Sequence, residues 1–149
     1  VTLKLTSKSA DDPLAVLHLL LEHGAAINAV STRGFTAVVW AARYGRVEAA
    51  QALIKAGADL NIRDSEGWNA LSTAVHEGHH LIVKALVEGG CDIEAVENQG
   101  YTALMWAAEE GRVDTTSFLI EQGAQLDVQN NQGGTALMWV CDSVPFLPS

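Results

Sequence analysis

The chain has 149 residues, about one domain's worth, and its 48% apolar content is ample for a core. A formal net charge of −9, from 18 acidic residues against 9 Lys plus Arg, excludes a phosphate-neutralising nucleic-acid binder and disfavours an anionic membrane surface. Two cysteines at unrelated positions, Cys91 and Cys141, make neither a disulfide framework nor a metal-ligand spacing, and no apolar run approaches the ~20 residues of a membrane helix. A reducing, cytoplasmic (or nuclear) setting is expected, with no cofactor and no metal.

Glycines punctuate the chain at a constant step. Gly34, Gly67, Gly100 and Gly133 recur every 33 residues (67 − 34 = 33), as do Gly24, Gly57, Gly90 and Gly123, and Gly45, Gly78 and Gly111. Residues 1–33 read as a degenerate first unit: a poorly patterned helix over Leu3 to Ala10, then a better one opened by Asp12-Pro13, with Pro at the first helical position. Residues 34–66, 67–99 and 100–132 are full units. In each, a first helix opens at a capping residue (Thr36, Asn69, Thr102) and stops near the glycine of the third register. A second helix follows, as from Val47 through Ala50, Leu53 and Ile54, and ends at a glycine suited to a left-handed cap, such as Gly57. Polar turn chemistry such as Arg63-Asp64-Ser65-Glu66-Gly67 leads into the next cap. Residues 133–149 hold a first helix, capped by Thr135, after which Val144-Pro145-Phe146-Leu147-Pro148 breaks the frame; the end reads as truncated or diverging. Helices this short are unstable alone in water, so the units must stack into a solenoid.

The strings Gly34-Phe35-Thr36-Ala37-Val38-Val39-Trp40-Ala41-Ala42 and Gly57-Ala58-Asp59-Leu60-Asn61 resemble the ankyrin repeat, as do Gly100-Tyr101-Thr102-Ala103-Leu104-Met105-Trp106-Ala107-Ala108 and Gly123-Ala124-Gln125-Leu126-Asp127. The resemblance covers nearly the whole chain. It implies one all-α ankyrin-repeat domain, a solenoid of helix-turn-helix units joined by β-turn or hairpin loops. The family's Thr-Pro-Leu-His is replaced by Thr36-Ala37-Val38-Val39, by Asn69-Ala70-Leu71-Ser72 and twice by Thr-Ala-Leu-Met. The missing histidine leaves the rigidity between repeats open.

His76-Glu77-Gly78-His79-His80 satisfies the H-E-x-x-H pattern of zinc hydrolases, which needs both histidines on one continuous helix. The repeat frame puts Gly78 in the turn between helices, so no metal site is expected there.

The aromatic pattern says more. At 100° per residue, Val38, Ala41 and Ala42 share one helix face and Trp40 points nearly opposite. Trp40, Thr73, Trp106 and Trp139 would then form a ladder along the inner face, with Phe35, Trp68 and Tyr101 at the hairpins on the same side. Met105 and Tyr44, with the charged Arg33, Arg43, Glu66 and Glu109, complete the candidate partner-binding set. The indoles serve either as anchors for a partner or as packing between helices.

The resemblance implies a non-enzymatic, monomeric scaffold that binds a protein partner through its concave face, and the acidic charge suits a partner with a basic patch. A second reading is a regulatory or targeting segment of a larger enzyme, channel or ligase. A metal-dependent hydrolase at His76–His80 is a remote third.

Overall fold

The structure, a computed structural model, describes residues 11–145. The helix expected over Leu3 to Ala10 lies outside the described residues. Eight helices follow one another: α1 (Pro13–Glu22), α2 (Ala37–Arg43), α3 (Val47–Lys55), α4 (Ala70–Glu77), α5 (His80–Glu88), α6 (Ala103–Glu109), α7 (Val113–Glu121) and α8 (Ala136–Ser143). Among the described residues there is no strand.

Local chemistry sets where these helices start and stop. The Asp12 carboxylate accepts from Leu14 N–H at the head of α1, with Pro13 inside the first turn. Thr36 and Thr102 accept from Val39 and Met105 N–H. Asn69 and Ser72 satisfy each other's backbone N–H groups in a reciprocal capping box. Thr135 departs from expectation: its backbone is extended like the others, but its side chain makes no cap bond to α8. Glycines of all three registers sit at positive φ, which is what lets 33-residue units turn twice and restart in the same frame.

The helices form two layers. α2, α4, α6 and α8 pack side by side in one; α1, α3, α5 and α7 pack in the other; α2·α3, α4·α5 and α6·α7 are the antiparallel pairs that join them. Between the layers runs a continuous apolar core. Val38, Leu71 and Leu104 on the first helices meet Leu53, Ile82, Leu86 and Leu119 on the second, all fully or nearly fully buried. Burying a side chain of this size contributes about 1.5–3 kcal/mol, so the core supplies what the short helices lack.

Repeats are also tied by polar bonds that recur with the frame. Asn28 Oδ1 accepts from Asp59 N–H, Asn61 Oδ1 from Asp92 N–H and Glu94 Oε1 from Gln125 N–H. At the hairpins, Asn98 N–H and Nδ2 donate to the Glu66 and Ser65 carbonyls, and Asn131 repeats this on Gln99 and Asn98. The histidine missing from the first helices is therefore replaced by ties elsewhere. His79 adds one, its Nε2 3.2 Å from the Arg43 carbonyl, and Arg112 donates to the His76 carbonyl at 3.3 Å.

The core ends where helices run out. Leu137 occupies the position of Leu71 and Leu104, yet it is 73% exposed, because no second helix covers α8 among the described residues.

Candidate functional site

The first-helix layer and the hairpins that precede each of its helices line one side of the stack. A cavity of about 270 Å³ opens there between α2 and α4, bounded by Arg33, Phe35, Arg43, Glu66, Trp68 and Thr73, with His76 and Glu77 at its far wall. The Arg33 and Arg43 guanidiniums lie 5.1 and 5.8 Å from the centroid of the Phe35 ring. Both arginines are exposed, while Phe35 is 8% exposed and serves as their floor.

Beyond this cavity, aromatic side chains touch one another across three repeats. Trp106 stacks on Tyr101 at 4.6 Å and tilts against Trp68 at 4.9 Å. Tyr101 in turn meets Trp139 at 5.2 Å. His76 stands edge-on to both Trp68 and Trp106, at 5.3 and 5.4 Å, and its Nδ1 is 3.4 Å from Glu110. Trp106 is thus wedged between its own hairpin aromatic, Tyr101, and that of the repeat before, Trp68, while Trp139 has only Tyr101 of the repeat before. The indole N–H groups of Trp106 and Trp139, and Glu109 Oε2, are buried without a hydrogen-bond partner among the described residues. Folded proteins leave few such groups unpaired.

Electrostatics change along this side. Partial burial raises the Glu109 carboxyl above its ordinary range, and the nearby charges of Glu110 and Asp142 push it further, against a smaller opposing effect of His76. Burial likewise raises the Tyr101 phenol, with Glu109, Glu97 and Asp142 adding to it. The α6–α8 end is therefore a region of negative potential. On the opposite layer, burial pushes the Cys91 thiol up to about 12, and Asp92 adds to the shift.

The candidate partner-binding residues divide on this geometry. Arg33, Arg43 and Glu66 are exposed on the groove, and Trp68, Thr73, Trp106, Glu109 and Trp139 are half-buried in it. Three others are buried. Met105 is 1% exposed: it follows Leu104 on the inward side of α6 and is a core residue. Tyr101 (6%) and Phe35 are covered by the indoles and guanidiniums stacked on them, so they support the surface and do not form it. Nor is the Trp ladder continuous. Trp40 packs on Phe35 and Tyr44 and, with Tyr44, lines a separate apolar cavity shared with Leu17 and Leu53. One repeat before Phe35 the sequence has Thr2 in place of an aromatic residue. His76 at the centre of the aromatic group was not anticipated as a packing residue. The signal for it was its equivalence to Arg43 and Glu109 at the end of a first helix.

Gly78 (φ 80°) ends α4 in the left-handed region, and α5 starts only at His80. His76 therefore faces Glu110 and the indoles, His79 the Arg43 carbonyl, and His80 Thr115, its Nδ1 3.1 Å from the hydroxyl. The three imidazoles turn to three different neighbours, which is the opposite of a shared ion site. Among the described residues no group of three His, Cys, Asp or Glu side chains could hold a metal, and no helix is long and apolar enough to cross a membrane.

No curated protein matches the chain. A family model described as ankyrin repeats (3 copies) matches residues 5–97 and 82–145, nearly the full length. With its two-layered stack of helical hairpins turned at glycines, the chain belongs to the ankyrin-repeat family, a family of protein-interaction modules.

Proposed function

We propose that this chain is a non-catalytic binding scaffold that holds a protein partner on the side formed by the hairpins and first helices. The observation that carries this is the groove itself. Among the described residues it joins guanidiniums that have no carboxylate partner, a run of stacked aromatics and an acidic end on one side of the stack, and Trp, Tyr and Arg are the residues enriched at protein-binding hot spots. On the second-helix layer, Gln51, Lys55 and Glu88 are solvated side chains away from this groove. Two free thiols support a reducing compartment, in cytoplasm or nucleus, and the net charge of −9 supports a protein over a nucleic acid as partner.

Affinity capture with four baits tests this: wild type, Arg43→Glu and Glu66→Lys in the groove, and Lys55→Glu on the second-helix layer. Partners retained by wild type and Lys55→Glu should be lost by the two groove variants, with far-UV circular dichroism unchanged. Retention by the groove variants, or loss with Lys55→Glu, would refute the assignment.

A further inference from the structure

One structural position on the first helices changes its charge along the stack. The 33-residue step places Arg43, His76, Glu109 and Asp142 in equivalent sites (76 − 43 = 33, and likewise onward), so the row runs from a cation through an imidazole to two carboxylates. Arg33 joins Arg43 at the first end, both over the Phe35 ring. Glu110 joins Glu109 and Asp142 at the other. The protein's own ion pairs leave both ends open. Among the described residues the pairs are His76–Glu110 at 3.4 Å and Arg112–Glu110 at 3.9 Å, and neither uses Arg33, Arg43, Glu109 or Asp142. Asp64, which lines the same cavity as both arginines, is occupied: its Oδ1 accepts from the Glu66 and Trp68 N–H groups. Glu66 and Glu77 border the same cavity without closing on either guanidinium.

We propose that the groove holds one extended partner segment in a fixed direction, with an Asp or Glu of the segment on Arg33 and Arg43 and a Lys or Arg on Glu109 and Asp142. This rests on the scaffold reading above and narrows its partner: the segment is dipolar, not uniformly basic as the net charge alone suggests. Adjacent first helices pack about 10 Å apart, so Arg43 lies about 20 Å from Glu109 and about 30 Å from Asp142. An extended chain rises about 3.3 Å per residue, which separates the two charged side chains by about six to nine residues. Between them the segment crosses Thr73 and the Trp68–His76–Trp106 group, which favours an apolar or aromatic residue at its middle. A reversed segment would set like charges against both ends of the groove, and a uniformly charged one against one end.

The test is selection from a displayed library of random peptides about twelve residues long, enough to span ~30 Å when extended. The full chain is used as wild type, as the Arg33→Glu/Arg43→Glu double variant and as Thr73→Arg, each checked by far-UV circular dichroism. Wild type should enrich peptides carrying an acid and a base at the stated separation, in one order, by about tenfold over uniformly charged ones, the discrimination expected of one well-placed charge pair. The double variant should drop the acidic position and keep the basic one; Thr73→Arg, which fills the middle, should enrich neither. Enrichment of uniformly basic peptides by wild type but not by Thr73→Arg overturns the dipolar segment and leaves the scaffold reading standing. Enrichment of the same peptides by Thr73→Arg, or of none by any form, overturns both.

Discussion

Two glycines with the same backbone and different surroundings separate turn geometry from repeat docking. Gly57 (φ 87°) and Gly67 (φ 86°) are both left-handed, so alanine at either costs about 1–2 kcal/mol in backbone strain. Stiffening of the unfolded chain changes that balance by about 0.4–1 kcal/mol and by the same amount at both. The sites differ in space. A Cβ at Gly57 meets nothing within 4 Å, whereas at Gly67 it would sit 2.6 Å from Arg63 Nη2, 2.7 Å from Asn98 Oδ1 and 2.8 Å from Asn98 N. The Arg63 tip can swing away. Asn98 cannot, because its N–H and Nδ2 donate to the Glu66 and Ser65 carbonyls at 3.0 Å and so clamp one hairpin onto the next. Overpacking of this kind adds about 1–3 kcal/mol. Gly57→Ala should therefore cost about 1 kcal/mol and Gly67→Ala about 2–4 kcal/mol, compared by urea denaturation at constant m-value, with melting points several degrees apart. Equal losses would show that hairpin contact contributes nothing beyond turn strain, and the account of how the repeats are docked would have to be given up.

Ellman's reagent at pH 8 should modify Cys141 quickly and Cys91 only after denaturation, since Cys141 is exposed while Cys91 is buried with its thiol pushed up to about 12; two fast thiols in the native protein would contradict the packing of α5 and the loop after it. Because burial and neighbouring carboxylates raise Glu109, its contribution to stability is present below its unfolded pKa and lost as pH rises through the higher folded value. Glu109→Gln should accordingly melt higher than wild type at neutral pH, with the gap closing on acidification to pH ~4, near the ordinary Glu value; a gap that persists or grows in acid would mean that charge at this site does not strain the fold.

Much of the molecule was legible from spacing alone. Glycine at three registers marks turns because, among the described residues, only those positions take φ above zero, and Thr36, Asn69 and Thr102 mark helix starts because their side chains stand in for missing backbone partners. Both effects act within a few residues. The candidate site was less legible because a side chain's exposure depends on what lies above it. Met105 and Met138 share a repeat position, yet the first is buried and the second exposed. Trp40 and Trp106 also share one, but only Trp106 has a ring from the preceding hairpin to pack on.

By itself the amino-acid order determined the helix pairs, their 33-residue frame and the apolar stripe each pair must hide, since these follow from caps, turns and helical periodicity. Only the stacked structure decided which equivalent residues became core and which became surface. Leu71 and Leu104 are covered by α5 and α7 while Leu137 is left open, and Arg43 and His76 come to line one cavity. Those outcomes depend on contacts between repeats, and a contact belongs to two segments of chain at once.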